Sequence, residues 1–472
     1  MFHLNKNNNL SDLMVYNHLL NINLKIQVYI LEDFKMLSLI GFAMIAIMMY
    51  VLLKGKASPL VLFIVLPIIG ALLGGFSPAE IGEFAMAGLD KTSTNAILFI
   101  FSITYFGVMN DVGMFDVVID NLVKKAGNSV VAITVVTAIV GILGHLDGTA
   151  ATTVLVTVPA MLPLYKKLNI RPQVLLLIVA SAMGVMNLLP WGGPTVRTAV
   201  VLGMDANVLW KTLIPIQLMG VVTTIGLAAI LGIIESKRGA GVSKNSSISI
   251  EDEIAVTTVD EKVLALKRPK LAWFNILLTA VVIVILVLDA IPATATFMLG
   301  LAIALIVNFP KVKEQEGRIK AHASSALLVS ATMLASGVFV GVLDQSGMLT
   351  AMSETVLGLV PSSMGPLLHL IMGVLALPLG MILGTDAYFY GLLPLVIEVA
   401  ATYGIPALQV ALTMIIGKNV ALLISPLVPP TFLAIGLADV DIKDHIKFSF
   451  GWLYAISLLM LVGGILFGII AL

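Results

Sequence analysis

The sequence predicts an all-α polytopic membrane protein made of two inverted repeats, with about ten transmembrane spans and two re-entrant helical hairpins. Three observations predict it. First, of 472 residues 59% are hydrophobic and only 11% charged, too few charges to cover a soluble protein of this size. Second, apolar windows long enough to cross the roughly 30 Å of a bilayer core recur along the chain. Third, "GVMNDVGMF" at 107–115 returns as "GVLDQSGML" at 341–349, and "LPL" at 162–164 returns at 393–395. In the same order, "NLLPWGGPT" at 187–195 finds its counterpart in "NVALLISPLVPPT" at 419–431.

Composition also excludes. Lys+Arg and Asp+Glu balance at 27 each, so net charge says nothing about nucleic acid, and charge placement has to be read instead. With no cysteine there are no disulfides, thiolate metal sites or cysteine nucleophiles.

Taken in order, residues 1–35 read as a tail foreign to the rest. They hold seven Asn and no Gly, Ala or Pro, and the reading allows a native start at Met36. The apolar runs there are too short to span, and no small-residue cleavage site follows, so no signal peptide is expected. The first repeat covers 36–234, with windows at 36–53, 59–76, 95–119 and 208–234, a hairpin at about 130–162 and a broken helix at about 171–204. A polar loop follows at 235–270. The second repeat covers 271–472, with windows at 271–290, 293–309, 322–343 and 448–472, a hairpin at about 365–401 and a broken helix at about 405–438.

Charge placement orients these elements. Lys54 and Lys56 put the first loop in the cytoplasm, and the acidic loop with Glu80, Glu83, Asp90 and Lys91 outside. Lys124, Lys125, Lys166, Lys167 and Arg171 then flank the first hairpin on the cytoplasmic side. Lys311, Lys313, Arg318 and Lys320 are also cytoplasmic, and no Lys or Arg follows from 321 until Lys418. The second hairpin lies in that gap and enters from outside. Lys443 and Lys447 return to the cytoplasm, so both termini are expected outside.

Inverted repeats with discontinuous helices meeting near the midplane are the sign of a secondary transporter. The first hairpin carries Asp147, Gly148, Thr149, Thr152 and Thr153, and the second Gly384, Thr385, Asp386, Tyr388 and Tyr390. The broken helices add Asn187, Gly192, Gly193, Thr195 and Arg197, then Lys418, Asn419, Ser425 and Thr431. Prolines 190, 194, 426, 429 and 430 prevent continuous helix, and free helix ends there can bind carboxylate oxygens. Thr153 and Thr157 can instead bond the preceding turn, Tyr388 and Tyr390 can be packing, and His145 reads as a packed polar residue rather than a metal ligand. Asp147 and Asp386, as intramembrane carboxylates, are candidates for the coupling ion, with burial favouring their protonated form. An intramembrane protease would need a nucleophile or paired-aspartate motif that the Thr-rich hairpins do not resemble, and a channel suits inverted copies less well than alternating access.

At these motifs the chain resembles the CitMHS family, the bacterial citrate–divalent metal:proton symporters of the ion transporter superfamily. "MGVMNLLPWGGPTVR" (183–197), "AMLPLYKKLNIRP" (160–172), "LGTDAYFYGLLPL" (383–395) and "SPLVPPTFLAIGLADV" (425–440) carry the resemblance, which runs from about Met36 to the C-terminus. It implies a multi-pass protein of the bacterial inner membrane that is not an enzyme and holds no resident cofactor or metal. It also implies a scaffold that forms a homodimer and a transport domain that moves as an elevator. The substrate it implies is citrate or a related di- or tricarboxylate, free or complexed with Mg²⁺ or Ca²⁺, coupled to H⁺ or Na⁺. An inorganic-anion or Na⁺/H⁺ transporter of the same superfamily is the alternative. The chain departs from the family pattern at two places. Where the family reads LDGDGTTTYM, this chain reads "LDGTAATTVL", with Thr149 in place of an Asp. Where the family reads GQPVHLLSPLVPST, it reads "GKNVALLISPLVPPT", with Lys418 for a Gln and Ala421 for a His. One carboxylate lost and one ammonium gained equal the charge of one divalent metal, which points to a free anion whose charge Lys418 and Arg197 balance.

Overall fold

The computed structural model describes residues 34–52, 54–241, 264–358, 361 and 363–472. Most of the 1–35 tail, and residues 242–263 of the polar loop, lie outside the described residues. The described chain is helical, with no strand among those residues. The first half runs α1 (Phe34–Leu52), α2 (Pro59–Leu73), α3 (Pro78–Asp111), α4 (Met114–Ala126) and α5 (Val130–Gly144). It continues through α6 (Ala150–Lys167), α7 (Pro172–Met186), α8 (Gly193–Leu202) and α9 (Ala206–Lys237). The second half runs α10 (Ala272–Leu288), α11 (Ala293–Asn308), α12 (Val312–Gln345), α13 (Met348–Leu357) and α14 (Leu368–Asp386). It ends with α15 (Leu393–Ala401), α16 (Ala407–Lys418), α17 (Pro429–Ala438) and α18 (Ile442–Leu466). Eight described helices are long and apolar enough to cross a membrane.

Several boundaries differ from the sequence reading, and the single window at 95–119 is split at Gly113 between α3 and α4. Glu80, Glu83, Asp90 and Lys91 do not form a loop; they lie on the first turns of α3. Pro78 opens that helix, the Ser77 hydroxyl accepts from Glu80 N at 3.3 Å, and the Glu80 carboxylate accepts from Ser77 N at 2.8 Å. Likewise Lys313, Arg318 and Lys320 lie on α12. Each helix has 34 residues, and at 1.5 Å per residue reaches about 51 Å. That length carries a charged end beyond a core of roughly 30 Å, so hydropathy alone truncates both helices.

Corresponding features of the two halves keep a nearly constant spacing. Gly113 and Gly347, both with positive φ, separate α3 from α4 and α12 from α13. Asp205 and Asp441 cap α9 and α18 through their carboxylates. α3 and α12 cross antiparallel: Lys91 near the start of one meets Asp344 at the end of the other, 3.1 Å apart. At the opposite end Asp111 meets His322 at 2.8 Å and Arg318 at 3.2 Å. One turn before Lys91, Gly88 lies against Gly337 and Gly341, where any Cβ would collide with backbone, so small residues set the crossing distance.

Before the polar loop, the fully buried Glu235 carboxylate of α9 accepts from Arg171 N and Nε at 3.1 and 2.8 Å and from Arg238 Nε at 3.0 Å. This ties the start of α7 to the end of α9. Glu235→Ala is expected to cost about 2–3 kcal/mol, below the full cost of breaking a wholly buried pair because both guanidiniums are more than a third exposed. A thermal unfolding midpoint in detergent checks it; an unchanged midpoint contradicts the estimate.

Candidate functional site

The link between α5 and α6 forms the first polar centre. Gly148 adopts φ +72°, and a Cβ there would press on Trp191 O at 3.1 Å and Trp191 Cδ1 at 3.2 Å. Trp191 lies in the break between α7 and α8, donates Nε1–H to Leu146 O at 2.7 Å, and packs edge-on to Phe297 with ring centres 4.9 Å apart. Hairpin and broken helix are thereby fastened to each other. Asp147 accepts from Thr149 N at 2.8 Å and Thr149 Oγ1 at 2.5 Å, closing a turn ahead of α6, on whose first turn Thr152 lies. His145, fully buried, lies 2.7 Å from Thr153 Oγ1 through Nδ1 and 3.0 Å from Asn187 Oδ1 through Nε2.

The second centre forms where α14 breaks. Gly384, at φ 72° and ψ 176°, interrupts the helix, and a π-helical segment over Ala387–Leu392 follows. Asp386 accepts from Arg197 Nε at 2.8 Å, joining the second hairpin to α8 of the first half. Lys418, 2% exposed at the end of α16, donates to Thr385 Oγ1 at 3.1 Å and stands 4.9 Å from the ring centre of Phe389. Arg197 Nη1 lies over Gly193, where a Cβ would be 2.8 Å away, so the guanidinium folds back onto the N-terminus of α8. Gly192, which caps that helix, donates its N–H to Leu189 O at 2.7 Å.

The structure thus brings Arg197, Thr385, Asp386 and Lys418 into one group, with Tyr388 beside Lys418. Asp147, Gly148, Thr149 and Thr152 form another around Trp191. The donors of several other expected site residues are engaged by backbone. Thr195 donates to Asn187 O at 3.1 Å, Ser425 to Met381 O at 2.9 Å, Thr431 to Ser425 O at 2.9 Å and Tyr388 to Met414 O at 3.0 Å. Asn419 Nδ2 donates to Gly184 O, where the two broken helices cross, and its Oδ1 has no partner. Trp191 was not among the expected site residues. Its signal was a large ring inside a Pro- and Gly-rich break, where only a tertiary contact gives it a purpose.

Two adjoining cavities of about 260 and 280 Å³ meet at Pro59 and Asp386. Gly384, Thr385 and Leu427 line the first, Arg197, Tyr390 and Thr332 the second. Together they have the size of a small-metabolite pocket, about 300–1,000 Å³. Arg197 is the cation among the described residues lining them, and its side chain is 21% exposed. Among the described residues, no group of three or more acidic or histidine side chains is placed to hold a metal ion. This chemistry suits an anion with planar carboxylates, which a guanidinium engages through paired hydrogen bonds.

Comparison with known proteins agrees with that chemistry. A family model described as CitMHS, citrate transporter, matches residues 30–417. A Bacillus subtilis (strain 168) protein named "Citrate transporter" is 38% identical over 436 residues, covering 92% of this chain and all of that protein. A second from the same organism, named "Mg(2+)/citrate complex secondary transporter", is 37% identical and covers 92% of this chain and 99% of its own. Among solved structures, the Alcanivorax borkumensis YdaH transporter matches with a TM-score of 0.55 at 14% identity, over 81% of this chain and 88% of that one. At that identity the likeness speaks to the fold alone. The family and these relatives are transporters, not enzymes. The chain belongs to the CitMHS family of citrate transporters.

Proposed function

We propose that this protein is a secondary active transporter of citrate or a closely related di- or tricarboxylate in a bacterial cell membrane, coupled to protons. One observation carries the reading. Arg197 and Lys418, cations from the broken helices of the two halves, converge on the Thr385–Asp386 pair at the wall of the cavities. The two halves are read as inverted repeats, a view supported by the antiparallel crossing of α3 and α12 and the matched Gly113 and Gly347. In that reading the two hairpins and broken helices form a transport domain that moves as an elevator against a dimeric scaffold, as in other midplane-site carriers. Asp386 holds Arg197 while the site is empty, and a substrate carboxylate competes for the guanidinium.

Three charged groups meet here, two positive and one negative, so the second centre favours an anion without help from a metal. The free anion is therefore the proposed substrate form. Uptake of radiolabelled citrate into proteoliposomes under an imposed proton gradient tests it. Gradient-driven uptake that falls when excess Mg²⁺ or Ca²⁺ is added is the expected result. Uptake that requires the metal overturns the free-anion form in favour of the metal complex for which one relative is named. If citrate moves under neither condition, the substrate class is wrong.

A further inference from the structure

Proton coupling needs a group that takes up and releases one proton within the moving part. Asp147 and Asp386 are already engaged as acceptors. Both oxygens of Asp147 accept hydrogen bonds from Thr149, and Asp386 accepts from a guanidinium. A proton bound to either would compete with a hydrogen bond already made.

His145 is different. Thr153 Oγ1 lies 2.9 Å from Thr149 O and 3.2 Å from Gly144 O, and the carbonyl four residues back is the usual partner of a helical threonine's proton. Toward His145 Nδ1 the hydroxyl is then an acceptor, and Nδ1 carries hydrogen. Asn187 Oδ1 faces Nε2 as an acceptor too, while Asn187 Nδ2 is buried with no partner among the described residues. Two acceptors on two ring nitrogens describe an imidazolium. A half-turn of the Asn187 amide places Nδ2 against Nε2 instead, which describes the neutral ring with hydrogen on Nδ1. The ring therefore has two hydrogen-bond patterns, which differ by one proton on Nε2 and the orientation of one amide; in each, one Asn187 amide atom is left to make no bond to the ring.

We propose that His145 carries the coupled proton, binding it on Nε2 with Asn187 as the amide that follows its charge. The inference rests on the proton-coupled reading given above. His145 caps the C-terminus of α5, the negative end of the helix dipole, which favours a cation. Its neighbours are Thr153 on α6 and Asn187 at the end of α7; the nearest carboxylate in sequence is Asp147, which in turn feels His322 of α12. A buried cation is costly without these acceptors, so loss of the Thr153 or Asn187 contact favours release of the proton. Thr157 Oγ1, a second unpartnered polar atom, lies beside Gly144 under the same hairpin.

The test compares gradient-driven accumulation of labelled citrate with citrate–citrate exchange in proteoliposomes. The parent protein is expected to accumulate about tenfold for one coupled proton and one pH unit of gradient. His145→Gln keeps hydrogen-bonding capacity and cannot titrate; accumulation should fall to the gradient-free level while exchange persists. Accumulation by His145→Gln that matches the parent overturns the assignment. Parent protein that exchanges citrate but ignores the gradient refutes the proton-coupled reading itself, and the assignment with it. If His145→Gln loses exchange as well, Asn187→Asp decides. A carboxylate against Nε2 should move the pH profile of exchange upward by about one unit or more. A profile that stays in place overturns the proposal.

Discussion

Arg197→Ala is expected to lower citrate uptake by about 100-fold without loss of the folded protein. Two effects add. The substrate loses a guanidinium, and charge-assisted hydrogen bonds of that kind contribute roughly 1.5–3 kcal/mol each. Asp386 meanwhile loses its 2.8 Å partner and keeps its charge at the cavity wall, repelling the carboxylate that should bind. About 2.7 kcal/mol is enough for two decades. Arg197→Lys keeps the charge but not the planar fork, and an intermediate loss of about tenfold is expected. A double variant separates two explanations. If Arg197 serves only to neutralise Asp386, then Arg197→Ala combined with Asp386→Ala should recover activity. If Arg197 also binds substrate, the double variant regains only the part lost to repulsion by Asp386 and stays well below half the parent rate, which is the expected result. Initial rates in proteoliposomes, normalised to reconstituted protein, decide; recovery above half the parent rate would remove Arg197 from the binding site.

What was legible in the sequence follows from how local the cause is. Gly148 and Gly384 mark interruptions in apolar stretches, and both adopt a φ of 72° that other residues rarely reach. Pro190, Pro194, Pro429 and Pro430 mark the broken helices because a missing N–H is a property of the residue itself. The starts of α3 and α12 were misread because charges were taken to end a span. A helix capped at Ser77 simply runs on past the bilayer core. The candidate residues were found by type, but not their partners. Nothing in the local sequence says that Arg197 reaches Asp386 across 189 positions, or that the Thr195 and Thr431 hydroxyls close the breaks by bonding carbonyls. His145 is the packed polar residue that the sequence suggests, but its two partners, from α6 and from the end of α7, are not legible locally.

Lys418 carries the second large expectation, a change in which form of citrate is accepted. Its ammonium is buried, yet among the described residues one donor alone is engaged, by Thr385 Oγ1 at 3.1 Å, with the ring of Phe389 at 4.9 Å. An ammonium has three donors, and a buried one left short of partners is stabilised when an anion arrives. Lys418→Gln removes that charge without much change of volume, and free citrate uptake is expected to fall about tenfold, the equivalent of about 1.4 kcal/mol. Thr149 stands in the other polar centre, donating to Asp147 from both N and Oγ1. Thr149→Asp puts a new negative charge beside that turn, which disfavours a bare tricarboxylate and favours one whose charge is partly neutralised by a divalent cation. Together the two substitutions shift the formal charge by two negative units, the amount that one Mg²⁺ restores. The Thr149→Asp, Lys418→Gln double variant should therefore take up citrate better with excess Mg²⁺ than without, reversing the response expected of the parent. Radiolabelled uptake at fixed total citrate, with Mg²⁺ varied, reads the reversal directly. If the double variant answers Mg²⁺ as the parent does, the two charges do not choose the substrate's form, and Lys418 serves the fold of the second hairpin instead.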